Sequence, residues 1–186
     1  MALLVLGLVL WTAPHLVKRL APGARAGLVA RLGEGGTKGL IGLVIGLGLV
    51  LIIIGFRSAP YVALYTPPAW AIHVNNTLML IAVFLFGASH APSRVKAWLR
   101  NPMLTGVVVW AVAHLLVNGD LAALILFGGM GLWAVANILA IDATAPKAPA
   151  GPVPVMADVK LAVIAVIVFA VIAAIHTWLG YWPFPR

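Results

Sequence analysis

Cysteine is absent from the 186-residue chain. That removes disulfides, zinc thiolate sites, iron–sulfur clusters, thiolate-ligated haem and covalent c-type haem from consideration. Acidic side chains are scarce as well: four Asp and Glu residues are too few for a carboxylate-rich di-metal site. Charged residues of all kinds make up 9% of the sequence against 63% hydrophobic, and the mean hydropathy is +1.12. A water-soluble domain of this size needs more charge, so the chain reads as an integral membrane protein whose first partner is the lipid bilayer. The formal net charge of +8 does not point to nucleic acid. The basic residues sit in short connections between apolar spans, where they set topology and meet lipid headgroups.

Six apolar stretches follow one another, roughly Ala2–Val17, Leu40–Phe56, Trp70–Ser89, Met103–Val117, Leu121–Ile141 and Val159–Trp178. The expected fold is an all-α integral membrane bundle of six transmembrane helices in a single domain, residues 1–186. A span needs about 20 residues, or about 17 at the short end, so the first and fourth are marginal. The first reaches Leu20 if Lys18 and Arg19 snorkel, and the fourth can begin in the interface near Trp98. The N-terminal run resembles a signal peptide but carries its charge (Lys18, Arg19, Arg25) after the apolar core rather than before it. It is therefore expected to remain as the first span.

Lys and Arg set the orientation. Lys18, Arg19, Arg25, Arg31, Lys38, Arg94, Lys96, Arg100, Lys147 and Lys160 fall in the odd-numbered connections, and only Arg57 and Arg186 fall on the other side. Ten against two places the odd connections in the cytoplasm and both termini on the periplasmic side. The fifth connection, Asp142–Asp158, holds Pro146, Pro149, Pro152 and Pro154 among Ala and Gly and reads as a flexible, extended linker. The glycine-rich 33–39 stretch lacks the spacing of a phosphate loop and a preceding strand, so it reads as a turn before the second span. Gly42 and Gly46, with Gly48 close by, have the small-xxx-small spacing of a tight helix–helix contact.

A titratable group inside a hydrocarbon layer costs free energy and is a functional candidate by default. His114 is the leading one, expected near the middle of the fourth span. Val107, Trp110, His114 and Asn118 share one face, because residues three or four apart stack along a helix. An aromatic ring, an imidazole and an amide in a row would suit a flat cofactor or a polar ligand between helices. In the Asn118-Gly119-Asp120 turn, Gly119 is expected to end one helix and Asp120 to cap the next. His15 follows Pro14 in the cytoplasmic half of the first span. By helical rise it lies ~5–8 Å below the cytoplasmic boundary, against ~14–17 Å for His114, a large gap for two ligands of one iron. His73, His90 and His176 lie near span ends, where headgroup contact is the ordinary role.

Pro14-His15 with Lys18-Arg19, then Asn101-Pro102, Gly106, Trp110, Ala113-His114-Leu115-Leu116, Asn118-Gly119-Asp120, Phe127-Gly128 and Trp133-Ala134, together resemble the NnrU family over nearly the whole chain. The resemblance implies a multi-pass bacterial inner-membrane protein linked to the production of active nitrite and nitric oxide reductases in denitrifiers. The family is also related to the plant zeta-carotene isomerase, a membrane enzyme with histidine-ligated b-type haem, whose ligands carry over onto His15 and His114. Relatives often show Arg-His-Pro where this chain has Arg100-Asn101-Pro102, so any task of that histidine is missing. Its loss, and the lack of a downstream acidic pair, argue against the isoprenylcysteine methyltransferases that share the string.

Two functional classes follow. In the first, haem b is held by His15 and His114, since neutral imidazole is the best iron ligand in a chain without cysteine. Trp110 would line the site, Asn118 and Asp120 would orient it, and Arg19 or Lys18 would pair with propionates. An apolar small molecule or nitric oxide would be the reactant. In the second, the chain is a cofactor-free assembly or regulatory factor for a partner membrane protein. Transport ranks third, for want of paired broken helices or a membrane-embedded carboxylate beyond Asp120.

Overall fold

The computed structural model describes residues 1–144 and 151–184, without the side chains of Lys18 and Arg19. Among these residues the protein is all-helical, with no strand beyond one isolated bridge between Ala63 and Asp120. Its helices are α1 (Ala2–Leu20), α2 (Pro22–Arg57), α3 (Ala71–His90), α4 (Pro102–Val117), α5 (Leu121–Thr144) and α6 (Val155–Trp178). A short 3-10 helix, Arg94–Ala97, lies between α3 and α4. Four of the helices, α2, α3, α5 and α6, are long and apolar enough to cross a membrane. The apolar stretches Ala2–Val17 and Pro102–Val117 are shorter.

Three local expectations need correction. The 33–39 stretch is not a turn: α2 runs through it, bent at Gly33, whose φ of 69° is a left-handed conformation that glycine adopts without a Cβ penalty. Arg25 and Glu34 bridge the bend with a 2.9 Å ion pair. The fifth connection is shorter than Asp142–Asp158. Helix α5 continues to Thr144 and α6 starts at Val155 on Pro154, leaving Gly151–Pro154 outside any helix and residues 145–150 outside the described set. Asp158 is not a linker residue but sits in the first turn of α6. Its carboxylate accepts from the Ser93 hydroxyl at 2.7 Å and the Arg94 backbone N–H at 3.2 Å. The carboxylate also meets the positive end of the helix dipole there.

The third correction concerns glycine. Gly42 and Gly46 face open space. The close approach runs instead through Gly7 on α1 and Gly48 and Gly55 on α2. A Cβ at Gly7 would come within 2.6 Å of the Ile52 nitrogen, one at Gly48 within 2.7 Å of the Trp11 nitrogen, and one at Gly55 would meet the Leu4 backbone. Lipid tails are as apolar as Leu, so helices associate by close packing of small residues, with large side chains left for lipid. The rest of the bundle obeys the same rule. Ala71, Ala82, Ala88, Ala113, Ala123 and Ala134 are fully buried, while Leu43, Leu132 and Leu139 point outward.

The packing pairs are α1 with α2, α1 with α5, α5 with α4, α4 with α3, and α3 with α6. The lateral order is therefore α2–α1–α5–α4–α3–α6, and α2 and α6 share no extensive contact. The fold thus leaves a space between them at one end of the bundle.

Candidate functional site

That space is a cavity of about 380 Å³, within the range of small-molecule pockets. It lies where α2, α4 and α6 end and where α3 and α5 begin, and the segment after α6 contributes Tyr181, Trp182 and Pro183. Its walls are apolar and aromatic, with Ile52, Met79, Phe127, Phe169 and Trp182 among them. Its polar groups include those of Arg57, Asn75, Asn76, His114, Asn118 and His176, with the Tyr181 hydroxyl and the Trp182 indole N–H.

His114 occupies the last turn of α4 rather than the middle of a span. The helix is short and closed by Asn118, so His114 is only three residues from its end, about 4.5 Å along the axis. Its Nδ1 lies 2.9 Å from the Trp110 carbonyl. A carbonyl can only accept, so in the neutral ring Nδ1 carries the proton and Nε2 keeps a lone pair. The ring stacks on Phe127 at 4.4 Å between centroids and lies 5.0 Å from Trp110. Phe127 belongs to the π-helical Leu124–Gly128 segment of α5. Trp110 thus backs the imidazole without lining the cavity.

Asn118 donates its amide to the His114 carbonyl at 2.8 Å, and Asp120 caps α5 by accepting from the Ala123 N–H at 3.0 Å. The capping expectation for Asp120 holds, and Asp120 does not line the cavity. Gly119 has no positive φ. Its role is steric: a Cβ there would strike the Tyr65 carbonyl, because the 58–70 connection is strapped across the turn. The Gly119 carbonyl accepts from Leu64 N–H at 2.8 Å and Tyr65 N–H at 3.1 Å, and Leu121 N–H reaches the Val62 carbonyl at 2.9 Å. The Tyr65 hydroxyl donates to the Leu115 carbonyl and lies 2.9 Å from that of Asn118.

Burial, and behind it the Asp120 carboxylate, raise the Tyr65 phenol above its ordinary value. Below about pH 10 the phenol is protonated in the folded and unfolded chains alike. Above that, the unfolded chain loses its proton first, so the stability supplied by Tyr65 falls as pH climbs through the raised value. Tyr65→Phe should cost at most about 1 kcal/mol at neutral pH and should flatten this alkaline loss in a pH series of unfolding curves.

His15 stands elsewhere. Its Nδ1 lies 2.6 Å from the Trp11 carbonyl, and its ring packs 4.4 Å from Trp11 and 5.3 Å from Trp133. It is not among the cavity residues. His15 meets α5 at Trp133 and His114 meets it at Phe127, six residues or ~9 Å apart by helical rise. Of the two, His114 lines the cavity and His15 does not. The Arg19 side chain lies outside the described residues. Among those described, no group of three or more His, Cys, Asp or Glu could hold a metal ion.

His176 takes the place beside His114. Its Nδ1 lies 2.8 Å from the Ile172 carbonyl, which again leaves Nε2 with the lone pair. Phe169, Ile172, Ala173 and His176 all line the cavity at the spacing of one helix face. That spacing was the available signal for His176, but a histidine two residues from a span end reads more readily as a headgroup contact.

A family model described as "NnrU protein" matches residues 3–183. The chain belongs to the NnrU family. No curated protein and no solved structure gives a significant match. Within this family member, the His-Leu-Leu-x-Asn-Gly-Asp string has a structural meaning. It ends α4, seats the 58–70 strap, caps α5 and aims one imidazole at the cavity.

Proposed function

We propose that this NnrU protein spans the bacterial inner membrane six times, with both termini and the cavity on the periplasmic side, and that the cavity holds non-covalent haem b. The ten-to-two distribution of Lys and Arg supports the orientation. Helix α4, at 16 residues, is about 24 Å long against a hydrocarbon core of about 30 Å. It spans with its C-terminal end recessed beneath the 58–70 strap.

One observation carries the haem reading: His114 and His176 line the same aromatic-walled cavity, and each has Nδ1 engaged by its own helix. The residues fit the group. Both rings offer an unprotonated Nε2, the carbonyl contacts fix their tautomers as ligand histidines require, and Arg57 lines the same cavity to pair with an acidic substituent. His114 would be the main ligand and His176 the second, in place of His15. Haem there would supply redox or isomerisation chemistry on an apolar substrate or nitric oxide, in support of the nitrite and nitric oxide reductases to which the family resemblance points. The protein's own part is to hold the two tautomers and to stack Phe127 against the ligating ring.

The test is spectroscopic. Protein expressed with haem precursor and purified in mild detergent should show a Soret band and a b-type pyridine haemochrome near one haem per chain. His114→Ala and His176→Ala should each lose or shift the band, and His15→Ala should leave it in place. Loss in His15→Ala alone would move the iron to the Trp11–Trp133 cluster and sink the present assignment. A second reading is a cofactor-free factor that assembles or regulates a partner membrane protein. A colourless, helical preparation would favour it.

A further inference from the structure

We infer that the segment after α6 is a lid that closes the cavity to water, and that the cavity's standing entrance is sideways, from the lipid between α2 and α6. The inference concerns access, and it holds for haem or for any other occupant.

The lid is fixed at one end and latched at the other. Helix α6 ends at Trp178, and Gly180 follows with a φ of 92°, a left-handed conformation that turns the chain off the helix without a Cβ penalty. The Gly180 N–H donates to the Thr177 carbonyl at 3.0 Å and the Tyr181 N–H to the His176 carbonyl at 2.8 Å, which ties the turn to α6. Tyr181, Trp182 and Pro183 then line the cavity. Beyond them the Pro183 carbonyl accepts from Asn76 Nδ2 on α3 at 3.0 Å. Asn76 Oδ1 accepts in turn from Asn75 Nδ2 at 3.0 Å. Reversing the Asn76 amide would set its oxygen against the Pro183 carbonyl, so the latch has one polarity.

The latch is light. Among the described residues, the Asn76 bond is the one side-chain hydrogen bond that joins this segment to the rest of the bundle. Tyr181 and Trp182 are 59% and 49% exposed, so the segment covers the cavity from outside rather than filling a core. Held by a turn and one neutral hydrogen bond, it can lift without unwinding a helix.

The sideways entrance follows from the packing order. Helices α2 and α6 bound the cavity through Ile53, Phe169 and Ile172 but share no extensive contact. Ile53 lines the cavity and is nevertheless 51% exposed, so it belongs both to the wall and to the outer surface. It lies one turn, ~6 Å, from Arg57 toward the middle of the bundle. An apolar molecule in the bilayer meets aliphatic side chains there, whereas a molecule in water meets the lid.

The experiment exploits the absence of cysteine. Met79→Cys puts a single thiol on the cavity wall, three residues or ~4.5 Å deeper along α3 than Asn76. The full chain, in lipid nanodiscs and without haem supplement, is labelled with water-soluble sulfonatoethyl methanethiosulfonate or with lipid-soluble N-phenylmaleimide. The sulfonate should modify Met79→Cys about tenfold or more slower than a Tyr61→Cys control, a position 78% exposed. Adding Asn76→Ala should speed sulfonate labelling about fivefold, the factor one ordinary hydrogen bond is worth, and leave N-phenylmaleimide labelling within about twofold. Trp182→Ala, outside every helix, should act in the same direction without touching α3, which guards against an Asn76 variant that misfolds. Sulfonate labelling at the control rate, or unchanged by both variants, would overturn the lid. N-phenylmaleimide labelling that rises in step with the sulfonate would overturn the sideways entrance, because both reagents would then share one route. The haem assignment is read separately, from the Soret band of the haem-supplemented protein, so either proposal can fail with the other intact.

Discussion

Gly119→Val is expected to unfasten the strap over the C-terminal end of α4 and to lower stability by about 3 kcal/mol or more. The reason lies in the backbone. A Cβ at position 119 would strike the Tyr65 carbonyl, and backbone cannot swing aside as a long side chain can. The 58–70 segment must lift, and with it go the Leu64 and Tyr65 N–H bonds to the Gly119 carbonyl and the Leu121 N–H bond to Val62. Three hydrogen bonds at about 1 kcal/mol each set the lower bound. Of the groups they leave behind, the Gly119 carbonyl belongs to a buried residue, where an unmet polar atom costs more. Unfolding in SDS–mild detergent mixtures, followed by far-UV circular dichroism, would check the loss. Limited proteolysis should cut first between α2 and α3. A Gly119→Val protein with unchanged stability and an intact loop would show that the strap is not what holds this end together. A small residue should be tolerated no better in kind, so Gly119→Ala is expected to show the same cleavage site with a smaller loss.

The positions of the helices were legible in the sequence because hydropathy records what lipid requires. Five of the six apolar stretches lie within helices and the third overhangs α3 by Trp70 alone, and Asp120 caps α5 as its place before an apolar run implies. What the sequence did not display is lateral arrangement. Nothing in the periodicity of α1 or α6 says that α2 and α6 are the two ends of the packing order, yet that fact places the cavity. His176 was for the same reason harder to weigh than His114. Its string, Phe169 to His176, has ordinary helical spacing, and its significance depends on which helix faces it. His15 shows the converse. Its resemblance to a ligand position is a matter of sequence order, whereas its depth along α1 follows from Leu4 packing at Gly55. Leu4 fixes the start of α1 at the cavity end, and His15 is eleven residues further on, ~16 Å along the axis. Asn75 was visible only as one of a pair beside His73. Its side-chain oxygen is buried with no partner among the described residues, and hydrogen-bond accounting needs coordinates.

The glycine corrections lead to the second large effect, on the contact between α1 and α2. Small-xxx-small spacing singled out Gly42 and Gly46, but a helix has several faces and spacing alone does not say which one meets a neighbour. Gly48 and Gly55 are seven residues apart, two turns on the same face, with Ile52 between them and Gly7 opposite. Gly55→Val would drive a branched side chain into the Leu4 backbone and push α1 away from the cluster of Leu4, Leu8, Ile52 and Ala122. Overpacking in a well-filled core costs about 1–3 kcal/mol when side chains can yield. Here the obstacle is backbone, so the loss should exceed about 3 kcal/mol. Gly42→Ala and Gly46→Ala face open space and should instead gain up to about 1 kcal/mol each, the helix propensity difference between Gly and Ala. The same SDS titration reads both classes. A Gly55→Val protein as stable as the parent, or Gly46→Ala as damaging as Gly55→Val, would mean that α1 docks on a different face of α2. The route from Leu4 to His15 along α1 would then have to be redrawn, and with it the separation of the two histidines.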